Sequence, residues 1–284
     1  MDGSMGNELL ARRSDLASGL WSAQYLIDAP ELVKEIHLEY IRSGADLIIT
    51  NTYSTIPSYL SKKKAEDKMP ELVCLAGKLA REAAEESEKK VIVAGSLPPL
   101  EESYRPDLVI DQKDALPIYE TLVKELNPFV DIFICETMSS IKEMEYVIQA
   151  LINQNNTKPL WISWSLREDR KNQLRSGETI KDAFNVAEVS SPEAYLFNCT
   201  DPHAITEGIK TLQTLTDKPI GGYPNVFSVP EGWTLDNNVQ VSHRDLSVEK
   251  FLEFASEWQY LGATIIGGCC GRGPKYIKAL ADKE

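Results

Sequence analysis

Short apolar runs alternate along the chain with longer segments in which apolar residues recur every three or four positions. The short runs are rich in isoleucine, valine, leucine and phenylalanine and are bounded by turn residues, as is typical of strands that are covered on both faces. The longer segments predict amphipathic helices. The predicted strands are 46–50, 91–96, 131–135, 160–165, 194–199, 218–223 and 264–268.

The boundaries of several helices are predicted by capping residues. Asp28 and Glu31 have the spacing of a capping box before an apolar stripe, and Gly44 follows that stripe as a stop signal. Ser140 and Glu143 have the same spacing before a second helix. Together the patterns predict seven strands and about eight helices in strict alternation, which indicates a parallel sheet with right-handed crossovers.

The polar residues near the predicted strand ends favour a closed sheet over an open one. The chain has no glycine-rich phosphate-binding fingerprint, which an open, doubly wound sheet usually carries after its first strand. Polar or sulfur-bearing side chains follow nearly every strand instead, which is typical of a (β/α)8 barrel. We therefore predict an α/β protein with one TIM-barrel domain over residues 1–284. Its first strand would be short or missing at the N-terminus, before Asp2.

Composition restricts the kind of partner. With 43 acidic and 30 basic residues the formal net charge is −13, and such a surface repels phosphate backbones and anionic lipid. The apolar runs are far shorter than the ~20 residues that span a bilayer, and the start of the chain resembles no export signal. We predict small-molecule substrates, no nucleic-acid or membrane partner, and a cytoplasmic location.

Three of the five cysteines follow predicted strands. Cys269 and Cys270 come after the 264–268 strand with glycines on both sides, and Cys199 ends the 194–199 strand. In a barrel, neighbouring strand ends would bring three sulfurs around one centre. Three thiolates suit zinc and leave one coordination position open, as in catalytic zinc sites. The alternative is that these cysteines are small buried apolar residues.

Four short motifs, in order along the chain, resemble the homocysteine S-methyltransferases. They are Asp2-Gly3, Glu136-Thr137, Asn198-Cys199 and Gly267-Gly268-Cys269-Cys270-Gly271. The segments Leu20-Trp21-Ser22-Ala23 and Thr50-Asn51-Thr52-Tyr53 are similar to the branch of that family that uses S-methylmethionine. The resemblance extends over essentially the whole chain.

The resemblance implies a zinc-dependent barrel that methylates the thiol of homocysteine to give methionine. It implies that Cys199, Cys269 and Cys270 hold the zinc ion and that Asp2, Gly3 and Glu136 hold the amino-acid end of homocysteine. Asn51 and Asn198 are predicted to line the same pocket, from their positions after strands.

The expected methyl donor is S-methylmethionine or S-adenosylmethionine. Alternatives are a betaine-type donor, a selenocysteine or selenohomocysteine acceptor, a non-catalytic zinc-binding barrel, or a redox-sensitive thiol protein. The chemistry of the leading hypothesis is consistent with the residues present. A metal-bound thiol is deprotonated without a separate base, and a sulfonium donor leaves as a neutral thioether.

Overall fold

A seven-stranded parallel sheet forms the centre of the protein, in a computed structural model that describes residues 1–230, 232–234, 241–244 and 246–283. The strands of this sheet are β1 (Leu47–Ile49), β2 (Ile92–Leu97), β3 (Ile132–Met138), β4 (Leu160–Trp164), β5 (Ala194–Asn198), β6 (Ile220–Tyr223) and β9 (Ile265–Ile266). A separate antiparallel pair consists of β7 (Phe227–Ser228) and β8 (Ser242–His243).

Helices lie before the first strand of the sheet, between successive strands and after the last strand. They are α1 (Met5–Arg12), α2 (Ala23–Asp28), α3 (Pro30–Arg42), α4 (Pro57–Leu60), α5 (Met69–Glu85), α6 (Gln112–Leu126), α7 (Ile141–Asn153), α8 (Ile180–Ala187), α9 (Pro202–Leu212), α10 (Val248–Tyr260) and α11 (Pro274–Ala281). The strands lie in chain order, and β9 pairs with β6. The carboxyl ends of all seven strands therefore point the same way, which is where α/β folds of this kind place their sites.

The two edges of the sheet meet at the N-terminus of the chain. The Asp2 amide donates to the Leu47 carbonyl of β1 at 2.9 Å, and the Asp2 carbonyl accepts from the Gly268 amide, just after β9, at 2.9 Å. The sheet is therefore curled, with residues 1 and 2 in the seam. Among the described residues no strand of this sheet precedes β1. A first barrel strand that is short or missing stays a prediction.

Side-chain alternation divides the core into two layers. On β3, Ile132 and Ile134 belong to a small apolar cluster, whereas Phe133 and Cys135 belong to the larger cluster under the helices. Leu196 of β5 and Tyr223 of β6 also belong to the small cluster. Because successive strand residues face opposite sides, Glu136 of β3 and Asn198 of β5 continue the face of the small cluster. This register places them at the carboxyl end of the sheet's concave side.

The predicted helix caps are correct in part. The Ser140 hydroxyl accepts from the Glu143 amide at 3.3 Å, which confirms the cap of α7. Gly44 follows α3 with a φ of 104°, as the stop signal predicted. The prediction that Asp28 and Glu31 form a capping box was wrong. Asp28 is the last residue of α2, and α3 begins at Pro30, whose ring already fixes a helical φ, without a side-chain cap.

All seven predicted strands are confirmed, with ends that differ by up to three residues. The β7–β8 pair was not predicted, because two-residue strands carry no detectable alternation of apolar and polar positions. Among the described residues, no helix is long and apolar enough to cross a membrane.

Gly221 of β6 allows the close pairing of β6 with β9. A Cβ atom at this position would overlap the Ile265 carbonyl oxygen, which belongs to the backbone of β9 and has no room to move aside. We expect Gly221→Ala to lower the free energy of unfolding by about 3 kcal/mol or more. The melting temperature would then fall by roughly 6 °C or more. Both quantities are measurable by thermal and urea denaturation.

Gly19→Ala is the matched control, since its Cβ would meet only the flexible Lys62 side chain, at 3.2 Å. We expect that variant to stay within about 0.5 kcal/mol of the wild type. Equal effects in the two variants would contradict the close β6–β9 approach.

Candidate metal centre and substrate pocket

A cavity of about 330 Å³ opens at the carboxyl ends of the strands. It contains most of the residues that the sequence singled out: Asp2, Gly3, Asn51, Glu136, Asn198, Cys199, Cys269 and Cys270 all line it. These residues come from the chain start and from the ends of β1, β3, β5 and β9. The curled parallel sheet thus gathers in one place side chains that are far apart in sequence.

The three cysteines form one cluster at the wall of this cavity. The sulfur atoms of Cys199, Cys269 and Cys270 all lie within 4.8 Å of one another. The Cα atoms of Cys199 and Cys269 are 5.9 Å apart, although 70 positions separate the two residues in the chain. The predicted convergence of these sulfurs is therefore present in the structure.

Local backbone conformation turns the sulfurs toward each other. Cys199 follows the last residue of β5 with a φ of 49°, so it departs from the alternation of the strand. Gly271 has a φ of 77°, which glycine adopts without the steric cost of a side chain. The Cys270 carbonyl accepts from the Val226 amide at 3.2 Å, and the Cys269 amide donates to the Pro224 carbonyl at 3.1 Å. The 269–271 turn is thus attached to the segment after β6.

The structure joins Cys199 and Cys269 in a disulfide and leaves Cys270 as a free thiol. This differs from the expectation that all the cysteines are reduced thiols or metal ligands. The physical reason is proximity, because the ends of β5 and β9 bring these two sulfurs within bonding reach. Reduction of this disulfide is required before all three sulfurs can act as ligands.

The chemistry of the three thiols fits a soft divalent metal. Burial raises the pKa of the Cys270 thiol to about 11, so at neutral pH the isolated thiol is protonated. A coordinated cation reverses this preference, because it stabilises the thiolate directly. Sulfurs within 4.8 Å of one another are close enough to share one ion at the ~2.3 Å Zn–S distance after small side-chain rotations.

Glu136 provides a buried carboxylate across the cavity from the cysteines. Its side chain accepts a short hydrogen bond from the Ser96 hydroxyl and one from the Tyr223 hydroxyl at 3.2 Å. Burial raises the pKa of Glu136, and these two hydrogen bonds offset part of that rise. A cationic ligand group would stabilise this carboxylate in its charged form.

Asp2 provides a second buried carboxylate. Its Oδ2 atom accepts from the Ile49 amide at 2.8 Å, which places the side chain at the end of β1. Burial raises the pKa of Asp2 to about 7, and the carboxylate of Glu136 adds to this rise. Gly3 follows directly, and a side chain there would overlap the Arg272 carbonyl oxygen. Two carboxylates that both resist ionisation therefore face one cavity, which suits the binding of an ammonium group.

The two asparagines are bound to other protein groups. The side-chain oxygen of Asn198 accepts from the Thr137 amide at 2.8 Å and the Ser163 hydroxyl at 2.7 Å, while its nitrogen donates to the Thr137 hydroxyl at 2.7 Å. Asn198 thus ties together the ends of β3, β4 and β5. The side-chain nitrogen of Asn51 donates to the Ser22 carbonyl at 3.2 Å.

An aromatic wall, which sequence reasoning did not assign to the site, covers the outer part of the cavity. We define it as Trp21, Tyr53, Tyr59, Tyr104, Phe227 and Trp233, all of which line the cavity. A possible sequence signal was the number of aromatic residues in loops after predicted strands. The rings of Tyr104 and Trp233 contact each other, with centroids 5.9 Å apart. Aromatic faces attract cations that have lost their hydration.

Backbone strain is concentrated at this cavity. Nine non-glycine residues in the described part of the chain have a positive φ, and four of them line the cavity: Trp21, Tyr104, Thr137 and Cys199. Such conformations cost of order 1–3 kcal/mol each and often accompany functional sites. The strained positions include one proposed metal ligand and two members of the aromatic wall.

Comparison with known proteins identifies the family of this chain. The sequence profile described as homocysteine S-methyltransferase matches residues 1–283. The chain belongs to the homocysteine S-methyltransferase family. This family is a class of methyl-transferring enzymes, and the resemblance drawn from the sequence motifs is confirmed. A relative, homocysteine S-methyltransferase 1 of Zea mays, is 30% identical over 99% of this chain and 92% of its own length.

Solved structures of another family member show the same fold. The metallated form of the Escherichia coli homocysteine methyltransferase MmuM matches 100% of this chain and 95% of its own, with a TM-score of 0.82 and 28% identity. Its oxidised form matches with a TM-score of 0.83, also at 28% identity, and covers 100% of this chain and 94% of its own. A further relative, at 27% identity over 98% of this chain and 90% of its own length, is a selenocysteine methyltransferase of Astragalus bisulcatus.

The raised pKa of Asp2 predicts a pH-dependent cost to stability. The folded protein retains a proton up to about pH 7 that an unfolded aspartate releases near pH 3.8. The free energy of unfolding therefore decreases as the pH rises from about 4 to 7, because over this range the folded protein binds a proton at Asp2 that the unfolded chain does not. We expect Asp2→Asn to stabilise the ligand-free protein more at pH 8 than at pH 5.

The stabilising effect of this variant should grow by roughly 3 kcal/mol between pH 5 and pH 8, because about two pH units separate pH 5 from the folded pKa of about 7 and one unit corresponds to about 1.4 kcal/mol. Urea denaturation of wild type and variant at both pH values measures it. Asp46→Asn is the control, because Asp46 is exposed. A gain that does not depend on pH would contradict the assigned burial effect.

Proposed function

We propose that this protein transfers a methyl group from a sulfonium donor, S-methylmethionine in the first place, to the thiol of homocysteine, with zinc held by Cys199, Cys269 and Cys270. The observation that carries this proposal is the meeting of three features in one cavity. Three sulfurs lie within 4.8 Å of one another, two buried carboxylates face the same space, and an aromatic wall closes the outer side. The curled sheet would serve as a (β/α)8 barrel, with its site at the usual face.

The carboxylates are proposed to hold the amino-acid end of homocysteine. Glu136 and Asp2 would bind its ammonium group, and this partner would restore the charged form that burial disfavours in each. Asn198, whose amide contacts the Thr137 backbone, would position Glu136 and Cys199 rather than contact the substrate through its side-chain nitrogen. Bound in this way, the homocysteine thiol extends toward the three cysteines.

Zinc bound by the three cysteines would supply the homocysteine sulfur as a thiolate at neutral pH. The sulfur then forms a bond to the methyl carbon of the donor as the carbon–sulfur bond of the sulfonium breaks. The products are methionine and a neutral thioether, which is a second methionine when the donor is S-methylmethionine. The thiol proton leaves to solvent. No acid–base residue is needed at the methyl group.

The aromatic wall supports a cationic donor. Ring faces such as those of Tyr104 and Trp233 attract a sulfonium through their quadrupoles. Opposite charges disappear as a thiolate attacks a sulfonium, so a cavity that excludes water favours this reaction over its counterpart in water. The residues themselves would contribute mainly by holding sulfur and methyl group in line.

The cavity size favours a small donor. Its volume of about 330 Å³ is near the lower end of ligand pockets, which span about 300–1,000 Å³. Two amino-acid-sized substrates suit this space better than S-adenosylmethionine with its nucleoside. Betaine is also small, and its quaternary ammonium group suits the same wall. A selenol acceptor is a further candidate, since selenium is a similar and softer nucleophile and a relative is a selenocysteine methyltransferase.

A donor and acceptor panel tests this proposal. Reduced, zinc-loaded protein is incubated with homocysteine and S-methylmethionine, S-adenosylmethionine or betaine, with and without a chelator, and methionine is quantified. We expect the fastest turnover with S-methylmethionine, and loss of turnover with the chelator. Zinc binding without turnover on any donor, with homocysteine or selenocysteine as acceptor, would support a non-catalytic zinc protein instead.

Cys270→Ser tests the metal centre directly. We expect bound zinc to fall from about one ion per chain to near zero, because a serine hydroxyl is a poor zinc ligand. Methionine formation should fall at least ~100-fold, since even indirect changes at metal sites cost 10–100-fold. The measurements are metal analysis and turnover after reduction, with circular dichroism as a check on folding.

Cys74→Ser is the matched control, because Cys74 lies on α5, away from the cavity. It should keep both zinc and activity. A fully active Cys270→Ser variant without bound metal would contradict the proposed role of the cluster.

A further inference from the structure

Glu168 lies behind the aromatic wall, in the connection between β4 and α8, and the mechanism above does not use it. Its side chain is only 16% exposed. It accepts hydrogen bonds from the Ser228 hydroxyl at 2.6 Å and from the Val229 amide at 3.1 Å. Burying a carboxylate costs free energy unless the charge is paired. The contacts of Glu168 therefore indicate what this residue does.

The contact with Ser228 fixes the direction of its neighbours. Ser228 belongs to β7, and adjacent strand residues face opposite sides. Because Ser228 points to Glu168, the flanking residues Phe227 and Val229 point into the cavity, and both line it. The bond from the Val229 amide to the same carboxylate secures the segment at a second point.

Arg175 connects Glu168 to Tyr104 of the aromatic wall. Its guanidinium lies 3.3 Å from the Glu168 carboxylate and 4.8 Å from the centre of the Tyr104 ring. It also donates to the Val229 carbonyl at 3.4 Å. Arg175 is 9% exposed, so without Glu168 it would be a buried cation with no carboxylate partner among the residues that the structure describes. Tyr104, which it supports, has the strained φ of 70°.

Arg244 completes the set of charges around this carboxylate. It pairs with Glu168 through a short contact and lies 3.7 Å from Asp201. Burial alone would raise the pKa of Glu168, but the hydrogen bonds from Arg244, Ser228 and Val229 more than offset it, so the pKa lies below its ordinary value. Glu168 is therefore ionised at neutral pH and holds two arginines at once.

The β7–β8 pair depends on such contacts. Each of its strands has two residues, and it is not part of the main sheet. A two-stranded ladder of this size has only marginal stability by itself. Besides the backbone hydrogen bond from the adjoining Val226 to Cys270, side chains attach the pair to the rest of the fold. Glu168 is one of them, because it contacts Ser228 and the adjoining Val229.

We propose that Glu168 is a positioning residue for the methyl donor: it holds Val229 directly, Phe227 through the neighbouring Ser228, and Tyr104 through Arg175, in the arrangement that binds the donor cation. This inference rests on the proposed function for its kinetic part. The cysteine cluster and the carboxylates that face homocysteine are not among the contacts of Glu168, so its effect should be confined to the donor side.

The test compares Glu168→Ala, Glu168→Gln and the control Asp169→Asn in zinc-loaded full-length protein. Asp169 is the next residue and pairs with Arg167 at 2.8 Å nearer the surface, outside the wall. With S-methylmethionine as donor, we expect Glu168→Ala to raise the donor KM at least 10-fold while the homocysteine KM changes less than twofold. Glu168→Gln, which keeps an acceptor for Val229, should show a smaller rise of about two- to fivefold. Asp169→Asn and the zinc content of all variants should match the wild type.

Hydrogen exchange provides a readout that does not depend on turnover. Amides of the segment around Ser228 and Val229 should exchange at least fivefold faster in Glu168→Ala than in the wild type, with no change around Cys269. If the wild type makes no methionine from any donor, the proposed function fails, yet faster exchange there still supports the positioning contact. Unchanged exchange in Glu168→Ala, an unchanged donor KM, or an equal rise of both KM values would overturn the inference.

Discussion

The parallel pairing of β5, β6 and β9 is the constraint on which the site depends. Cys199 follows β5 and Cys269 follows β9, and β6 lies between these strands. Because parallel neighbours end at the same edge, the Cα atoms of Cys199 and Cys269 lie 5.9 Å apart although 70 positions separate them in the sequence. Any change that shifts the register of β6 would separate the sulfurs, and Gly221 shows how closely this pairing is packed.

Burial has opposite consequences for the ligand-free protein and for the proposed complex. The buried carboxylates of Asp2 and Glu136 and the half-buried thiol of Cys270 have raised pKa values, so the charged form that binding would use is disfavoured in each. A cationic ammonium group and a metal ion would each supply the missing partner. The site is thus complementary to its proposed ligands, at some cost to the empty protein, which is a common relation between stability and function.

Much of the fold was predictable from the sequence, because strands covered on both faces have a clear apolar signature. The predicted convergence of the Cys199, Cys269 and Cys270 sulfurs is also present in the structure, since strand ends in such a fold converge. The disulfide was not predicted, because redox state is absent from residue patterns. The role of Asn198 as a link between Thr137 and Ser163 was not predictable either, since it depends on side-chain geometry across three strands.

The aromatic wall was missed for a related reason. Its members come from the chain start, from loops after β1 and β2, and from the segment around β7. No spacing in the sequence connects Trp21 with Trp233, and only the folded chain brings them to one cavity. Likewise, Glu168 is an unremarkable acidic residue in a charged loop until the structure shows Ser228 and Arg175 beside it.

Zinc-edge X-ray absorption of the reduced protein, with and without homocysteine, tests the central claim most directly. The account predicts three sulfur neighbours at ~2.3 Å in the protein alone and a fourth when homocysteine is added. A zinc environment without sulfur, or one that homocysteine leaves unchanged, would contradict the claim that these cysteines hold a metal that receives the substrate thiol.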